Sequence, residues 1–376
     1  MGSKIALFHP WIKSKGGAEK VVLKLAKSFD ADIYTWIYDE ENTFEDFKKF
    51  DITVVAPRFM KRFSRGHLSR GLFLPFSFLS KIPLEKYDKL LISTSGVGEF
   101  VAFRNYKKGQ TYSYVHTPLR EADDKIVEWN LKNRYSKLPG KKFLYLLSVG
   151  IYKIFEKLAW RRIDYAIFNS ELSRERAERK NLLKNKDSCV IHPPVDIMKK
   201  TSGKTGDYLL YVSRINPPKR QLELIKAFKN LAKDFPLLKL VIVGNIDNKK
   251  YYEKITNFIG DSSNIELRQN VSDKELSKLY SNCLAGIFLG YQEDFGIVPL
   301  EILQYGKPLI APNEGGYVDL IKGNPMFYDV KERHDSEDVK VEIEKTLRKF
   351  LGNKKKLSSK KIKIKDFVGE MKKVLS

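Results

Sequence analysis

Two doubly wound α/β domains in one chain are the architecture the sequence predicts, on three observations. Short apolar runs alternate with helical periodicity along both halves. A glycine turn follows the first apolar run. A stretch rich in Pro, Gly, Ser, Thr and Lys, without periodicity, separates the halves at residues 192–207. A strand, a crossover helix and a second strand imply parallel pairing, with the sheet buried on both faces. The 376 residues leave room for two to three domains of ~150 residues each.

The elements follow in order. Residues 5–10 (IALFHP) read as a strand that ends in the turn at Gly16-Gly17. Ala18, Val21, Val22, Leu25, Ala26 and Phe29 then recur at the spacing of one helix face, and residues 31–36 (ADIYTW) read as the next strand. The second half repeats this grammar. Residues 208–213 (YLLYVS) are a strand, and the helix after it carries Leu224, Ile225, Phe228, Leu231 and Ala232. Further strands are expected at 238–244, 264–267, 285–290 and 308–312. The domains are placed at 1–195 and 196–358, with a closing helix in 359–376 that crosses back to the first domain.

Composition removes several classes. The chain is 42% hydrophobic, too apolar for a disordered protein. Its two cysteines, Cys189 and Cys283, are too far apart for a CxxC metal site and too few for a disulfide framework, which fits a reducing cytosol. No apolar run approaches the ~20 residues that span a bilayer, and the first residues show no small-residue cleavage site. A formal charge of +23 predicts an anionic partner. Most of that excess lies in residues 1–200, and residues 58–81 interleave Arg and Lys with Phe and hold no acid. Such a stretch suits an anionic membrane surface. The apolar spacing in 143–162 reads chiefly as core, and otherwise as an amphipathic surface helix.

Three segments carry candidate chemistry. Gly16-Gly17-Ala18-Glu19 places glycines before a helix start, where amides and dipole favour an anion; a bare glycine pair is also an ordinary tight turn. Residues 213–220 (SRINPPKR) follow the first strand of the second half. There Arg214 offers a planar fork and Lys219 a point charge, enough to neutralise a diphosphate. Residues 291–311 place Glu293 in a loop and Glu301 inside a helical pattern. Such a carboxylate pair serves either glycosidase acid/base chemistry or the binding of sugar hydroxyls.

In this order and at these distances the segments resemble the retaining glycosyltransferases of family GT4, of GT-B architecture: two Rossmann-like domains facing across a cleft. Glu293-x7-Glu301 is similar to the E-x7-E motif, Gly16-Gly17-Ala18-Glu19 to the N-terminal glycine loop, and Arg214 and Lys219 to the diphosphate-binding pair. Tyr114-Val115-His116-Thr117-Pro118 and His192-Pro193-Pro194-Val195-Asp196 resemble signatures of the mannosyltransferase-like branch. Glu121 and Asp319 depart from the family pattern.

The resemblance implies transfer of a hexose, mannose foremost, from a nucleotide-diphosphate sugar to a saccharide or polyprenyl-linked saccharide, with retention. His116, Arg214, Lys219 and Glu293 would be catalytic. Gly16, Gly17, Ser213, Gly244, Val271, Phe295, Gly296, Ile297, Val298 and Glu301 would join them in binding the donor. No cofactor is implied: guanidinium and ammonium stand where a metal would. The expected setting is the cytoplasm, with peripheral attachment to the inner face of the cell membrane. Alternatives are a UDP-glucose-dependent glucosyltransferase and a sugar-nucleotide epimerase on the same fold. A nucleic-acid-binding protein is disfavoured, because no RRM, KH, helix-turn-helix or zinc-finger signature is present.

Overall fold

The computed structural model describes residues 3–56, 78–133, 139–195, 205–333, 335–353 and 362–376. The chain forms two units: Met1–Pro194 with Lys365–Ser376, and Val195–Ile364. The second crossing point thus lies a few residues beyond the expected one. Most of the basic, aromatic stretch 58–81 and much of the 192–207 connection lie outside the described residues.

The first unit is built on β1 (Ile5–Ile12), β2 (Asp32–Tyr38), β3 (Ile52–Val54), β4 (Lys89–Ser95), β5 (Thr111–Thr117), β6 (Tyr165–Phe168) and β7 (Asp187–Val190), in the spatial order β3-β2-β1-β4-β5-β6-β7. Neighbouring strands pair in parallel. β1 is buried along nearly its whole length because both faces of the sheet are covered. The helix Gly17–Phe29 buries Val21, Val22, Leu25 and Ala26 against one face. Phe367, Met371 and Leu375 of the helix Phe367–Leu375 join the same core, and Lys89 Nζ donates to the Leu375 carbonyl at 2.5 Å. Asp366 caps this helix, accepting from the Val368 and Gly369 amides.

The second unit carries β8 (Tyr208–Val212), β9 (Lys239–Val243), β10 (Ile265–Arg268), β11 (Ala285–Ile287), β12 (Leu309–Pro312) and β13 (Phe327–Val330), in the order β10-β9-β8-β11-β12-β13, again parallel. β11 is shorter than expected, because the chain leaves the sheet after Ile287 to form the loop that carries Glu293. In each sheet the chain order reverses beside the first strand: between β1 and β4, and between β8 and β11. Loops at the carboxyl ends of these strands flank a topological switch point, where such sheets bind ligands.

One expectation is overturned. The helix Pro139–Trp160, expected mainly as core, leaves Phe143 (67% exposed), Leu144, Leu146, Leu147, Ile151 and Ile154 in the open. Val149, Ala159 and Trp160 are buried, and Tyr145, Tyr152 and Phe155 pack partly buried against the core. The helix carries more apolar surface than one stripe can bury.

Candidate functional site

In the second unit the chemistry gathers around the β8/β11 switch point. The loop after β8 runs from Ser213 through Arg214 to a short helical turn, Pro217–Lys219. The loop after β11 returns against it, the Tyr291 amide donating to the Pro218 carbonyl at 3.0 Å. This tie brings Lys219 and Glu293 together: Lys219 Nζ lies 2.5 Å from Glu293 Oε2, with 16% and 25% of the side chains exposed. The ammonium also sits 5.3 Å from the centre of the Phe288 ring. The Glu293 carbonyl accepts from the Gly316 amide, so the stretch from Gly315 folds onto the same loop.

Beside this pair the helix Ile297–Gln304 begins without a side-chain cap. Its first residue follows Gly296, whose φ of +82° is left-handed, and a Cβ there would run into the Tyr317 ring. Phe295 is buried, whereas Ile297 and Val298 are half-buried. An uncapped helix start keeps its first amides and the positive end of its dipole available to an anion.

Glu301 is the fifth residue of this helix. The fully buried Tyr280 donates to its Oε2 at 2.8 Å. Burial, reinforced by the neighbouring carboxylate, holds the Tyr280 phenol protonated well above its usual range, so it remains a donor. Arg214 is bonded elsewhere. Its guanidinium is 67% exposed and lies 3.7 Å from Asp247 Oδ2, which also accepts from Asn216.

The other sequence candidates have local reasons. A Cβ on Gly244 would overlap the Ser213 carbonyl, so the carboxyl ends of β8 and β9 approach this closely only with glycine there. Ser213 Oγ accepts from Gln221 at 2.9 Å. Val271 lies after β10, half-buried against the second unit's core. Sequence reasoning missed Arg220, which adopts a left-handed φ of 59° and reaches Glu332 with both terminal nitrogens. Two terminal nitrogens on two carboxylate oxygens make a bidentate pair.

The first unit presents a different surface at its β1/β4 switch point. Gly16 precedes the helix Gly17–Phe29, but the loop folds around Glu19, which is buried and accepts from Ser14 Oγ at 2.6 Å. A Cβ on Gly16 would overlap the Glu19 carboxylate. The helix start expected to receive an anion therefore already has an acidic group beside it. His116 stands at the carboxyl end of β5, its Nε2 2.9 Å from Ser93 Oγ. Burial, with His9 nearby, pushes its imidazole down to about 3. His9 is also buried and lowered, and Glu99, in the helical turn Gly98–Phe103 after β4, is pushed up to about 8 by burial. His9 lies in no sequence motif, and Glu99 lies in GVGEF (96–100), which fails as a dinucleotide fingerprint because Val101 stands where a glycine or alanine is needed. The triplet Asp30-Ala31-Asp32 runs from the end of the helix Gly17–Phe29 into the first residue of β2, at the amino end of that strand, with Asp32 accepting from Tyr87.

Residues 195–361 match the family model described as "Glycosyl transferases group 1". A human protein named GDP-Man:Man(3)GlcNAc(2)-PP-Dol alpha-1,2-mannosyltransferase is 23% identical over 360 residues, covering 83% of this chain and 73% of its own. The alpha-1,3/1,6-mannosyltransferase ALG2 of Candida glabrata is 24% identical over 377 residues, covering 85% and 78%. Among solved structures, sucrose-phosphate synthase from Thermosynechococcus elongatus superposes with a TM-score of 0.69 at 16% identity, over 93% of this chain and 90% of that one. The two parallel sheets, the match of residues 195–361 to glycosyl transferases group 1 and the mannosyltransferase relatives agree: the chain is a glycosyltransferase with the two-sheet fold of the GT-B enzymes.

Proposed function

We propose that the chain moves mannose from a guanosine-diphosphate sugar to a saccharide or polyprenyl-linked saccharide acceptor, with retention and without a metal. The observation that carries this reading is the Lys219–Glu293 contact beside the uncapped start of the helix Ile297–Gln304. The relatives with GDP-Man or mannosyltransferase in their names support the choice of sugar and nucleotide.

Lys219 is assigned to the diphosphate, together with Arg214 and the amides of Gly296, Ile297 and Val298. Charge grows on the leaving oxygens as the C–O bond breaks, so these fixed donors bind the transition state more tightly than the ground state. Diphosphate binding draws Lys219 toward the anion and frees Glu293 for sugar hydroxyls. Glu301, held in place by Tyr280, is assigned to the ribose. Ser213, Gly244, Phe295 and Val271 shape the nucleotide side. His116 is assigned to the sugar of the donor. The leaving phosphate oxygen takes the acceptor proton, and the new bond forms on the face the diphosphate leaves, so no enzyme nucleophile is required.

A thermal-shift panel of GDP-mannose, UDP-glucose, UDP-GlcNAc and RNA tests the donor. A bound ligand raises apparent stability by RT ln(1 + [L]/Kd). Selective stabilisation by GDP-mannose is expected, and selection of UDP-glucose or of RNA would overturn the assignment. An α-linked product formed in the presence of EDTA supports retention without metal; a β-linked product or loss of turnover on chelation refutes it.

Membrane attachment belongs to the same reading. Leu144, Leu147, Ile151 and Ile154 fall at i, i+3, i+7 and i+10 along the exposed helix Pro139–Trp160, near the cations Lys141, Lys142 and Lys157. An apolar stripe beside cations fits an anionic lipid surface. Among the described residues no helix is long and apolar enough to cross a bilayer. Co-sedimentation with anionic liposomes at low salt is expected, and its absence would end this part of the proposal.

A further inference from the structure

Three adjacent strands of the first unit carry a hydrogen-bonded row of buried side chains toward their carboxyl ends. His9 lies on β1, Ser93 on β4 and His116 on β5, with β4 between the other two. Their exposures are 1%, 0% and 9%. His9 Nδ1 stands 2.8 Å from the Ser93 carbonyl oxygen and 3.1 Å from Ser93 Oγ, and that hydroxyl stands 2.9 Å from His116 Nε2.

The chemistry of these atoms sets the direction of the row. A carbonyl oxygen only accepts, so His9 Nδ1 must carry the proton. The same N–H is shared with Ser93 Oγ, which accepts on that side. The Ser93 proton then points to the remaining neighbour, His116 Nε2, which accepts it. The reverse polarity would aim the Ser93 proton at the His9 N–H. A neutral His116 whose Nε2 accepts holds its own proton on Nδ1.

The surroundings keep the row neutral. The two imidazole rings lie 6.1 Å apart edge to face, so charging either one disfavours charging the other. Burial lowers both rings, whereas the Glu19 carboxylate acts in the opposite sense on His9. Tyr114 packs edge-on against His116 at 5.2 Å.

We propose that Ser93, held by His9, is a positioning residue that fixes His116 as a neutral imidazole with its proton on Nδ1. His116 then serves the sugar nucleotide as a hydrogen-bond donor to an oxygen and takes no part as general base. This inference rests on the donor reading above for what His116 touches, but not for its tautomer.

Nitrogen-15 NMR of the full chain, labelled at its five histidines, tests it directly, with His116 assigned by substitution. Expected is a protonated Nδ1 and a bare, hydrogen-bonded Nε2, unchanged between about pH 5.5 and 8. Ser93→Ala should give a mixture of His116 tautomers and lower kcat by roughly 10–100-fold, the cost of losing a partner that orients a working histidine. His9→Asn, which keeps an N–H donor near the Nδ1 position, should preserve the tautomer; His9→Phe should not. A proton on Nε2 in the wild type, titration within that range, or an unchanged tautomer in folded Ser93→Ala would overturn the proposal, and the wild-type spectrum decides even if a variant fails to fold. A correct tautomer in a protein that binds no sugar nucleotide would refute the donor reading alone.

Discussion

Each unit holds a lysine–glutamate pair near its switch point, and the two pairs differ in what surrounds them. Lys180 and Glu156 of the first unit are 11% and 2% exposed and meet at 2.5 Å. Glu156 also accepts from the Leu119 amide, and Lys180 donates to the Leu119 carbonyl. Burial raises the Glu156 carboxyl above its ordinary range even against the ammonium, so desolvation here is costly. Lys219 and Glu293 of the second unit meet at the same distance but keep more contact with water, beside a helix start that no side chain caps. The comparison separates structure from function. A pair that fixes a backbone turn from both sides is part of the framework, whereas a pair at an uncapped helix start can exchange its partner for a ligand.

The largest effect should come from breaking the framework pair. Lys180→Ala leaves Glu156 buried and uncompensated, and should cost about 3–5 kcal/mol in urea unfolding. A loss under 1 kcal/mol would erase the distinction. Lys219→Ala should do the converse. Its unfolding free energy should shift by less than about 1 kcal/mol, the usual worth of a partly exposed pair. Meanwhile kcat/KM for the sugar nucleotide should fall on the order of 10²–10³-fold.

Glu99 sharpens the contrast from inside the first unit. Its Oε2 accepts from Thr94 at 2.7 Å, and its Oε1 is buried without a hydrogen-bond partner. Its folded value of about 8 against 4.5 for the free group means that the fold keeps a proton the unfolded chain releases. Stability from this group is therefore complete below pH ~4.5 and declines as pH rises toward 8. Glu99→Gln should flatten that slope, raising stability at pH 8 by about 1–3 kcal/mol, the cost of a poorly paired buried polar group. Thermal unfolding at the two pH values checks it, and equal curves at pH 8 would refute it. The smallest change belongs to Tyr280→Phe, which removes one hydrogen bond to Glu301 and should cost about 1 kcal/mol of stability. Donor KM should rise more than kcat falls.

The second unit was far more legible in the sequence than the first. Its candidate residues sit in two short loops that follow strand ends, so Arg214 and Lys219, like Glu293 and Glu301, are neighbours in the chain as well as at one sheet edge. Five of its six strands read as short apolar runs, whereas β13, interrupted by Asp329, is not among the strands the sequence predicts. In the first unit β4 and β5 bury Ser93, Thr94, Thr111, Ser113 and His116, which hides the apolar pattern. The row from His9 to His116 was unreadable for a second reason. Its members lie 84 and 23 positions apart, and only the parallel crossovers make them neighbours. The exposed face of Pro139–Trp160 is not legible in the sequence, because spacing alone does not say how much of an apolar helix its neighbours can cover.

The path of the backbone between the units has a consequence for biosynthesis. Residues 195–364 are continuous, but the unit before them is finished only by Lys365–Ser376. On the ribosome the second lobe can therefore close while the first still lacks Phe367, Met371 and Leu375, leaving an oily gap against the Gly17–Phe29 helix. The unit that opens the chain is thus closed by the residues that come last.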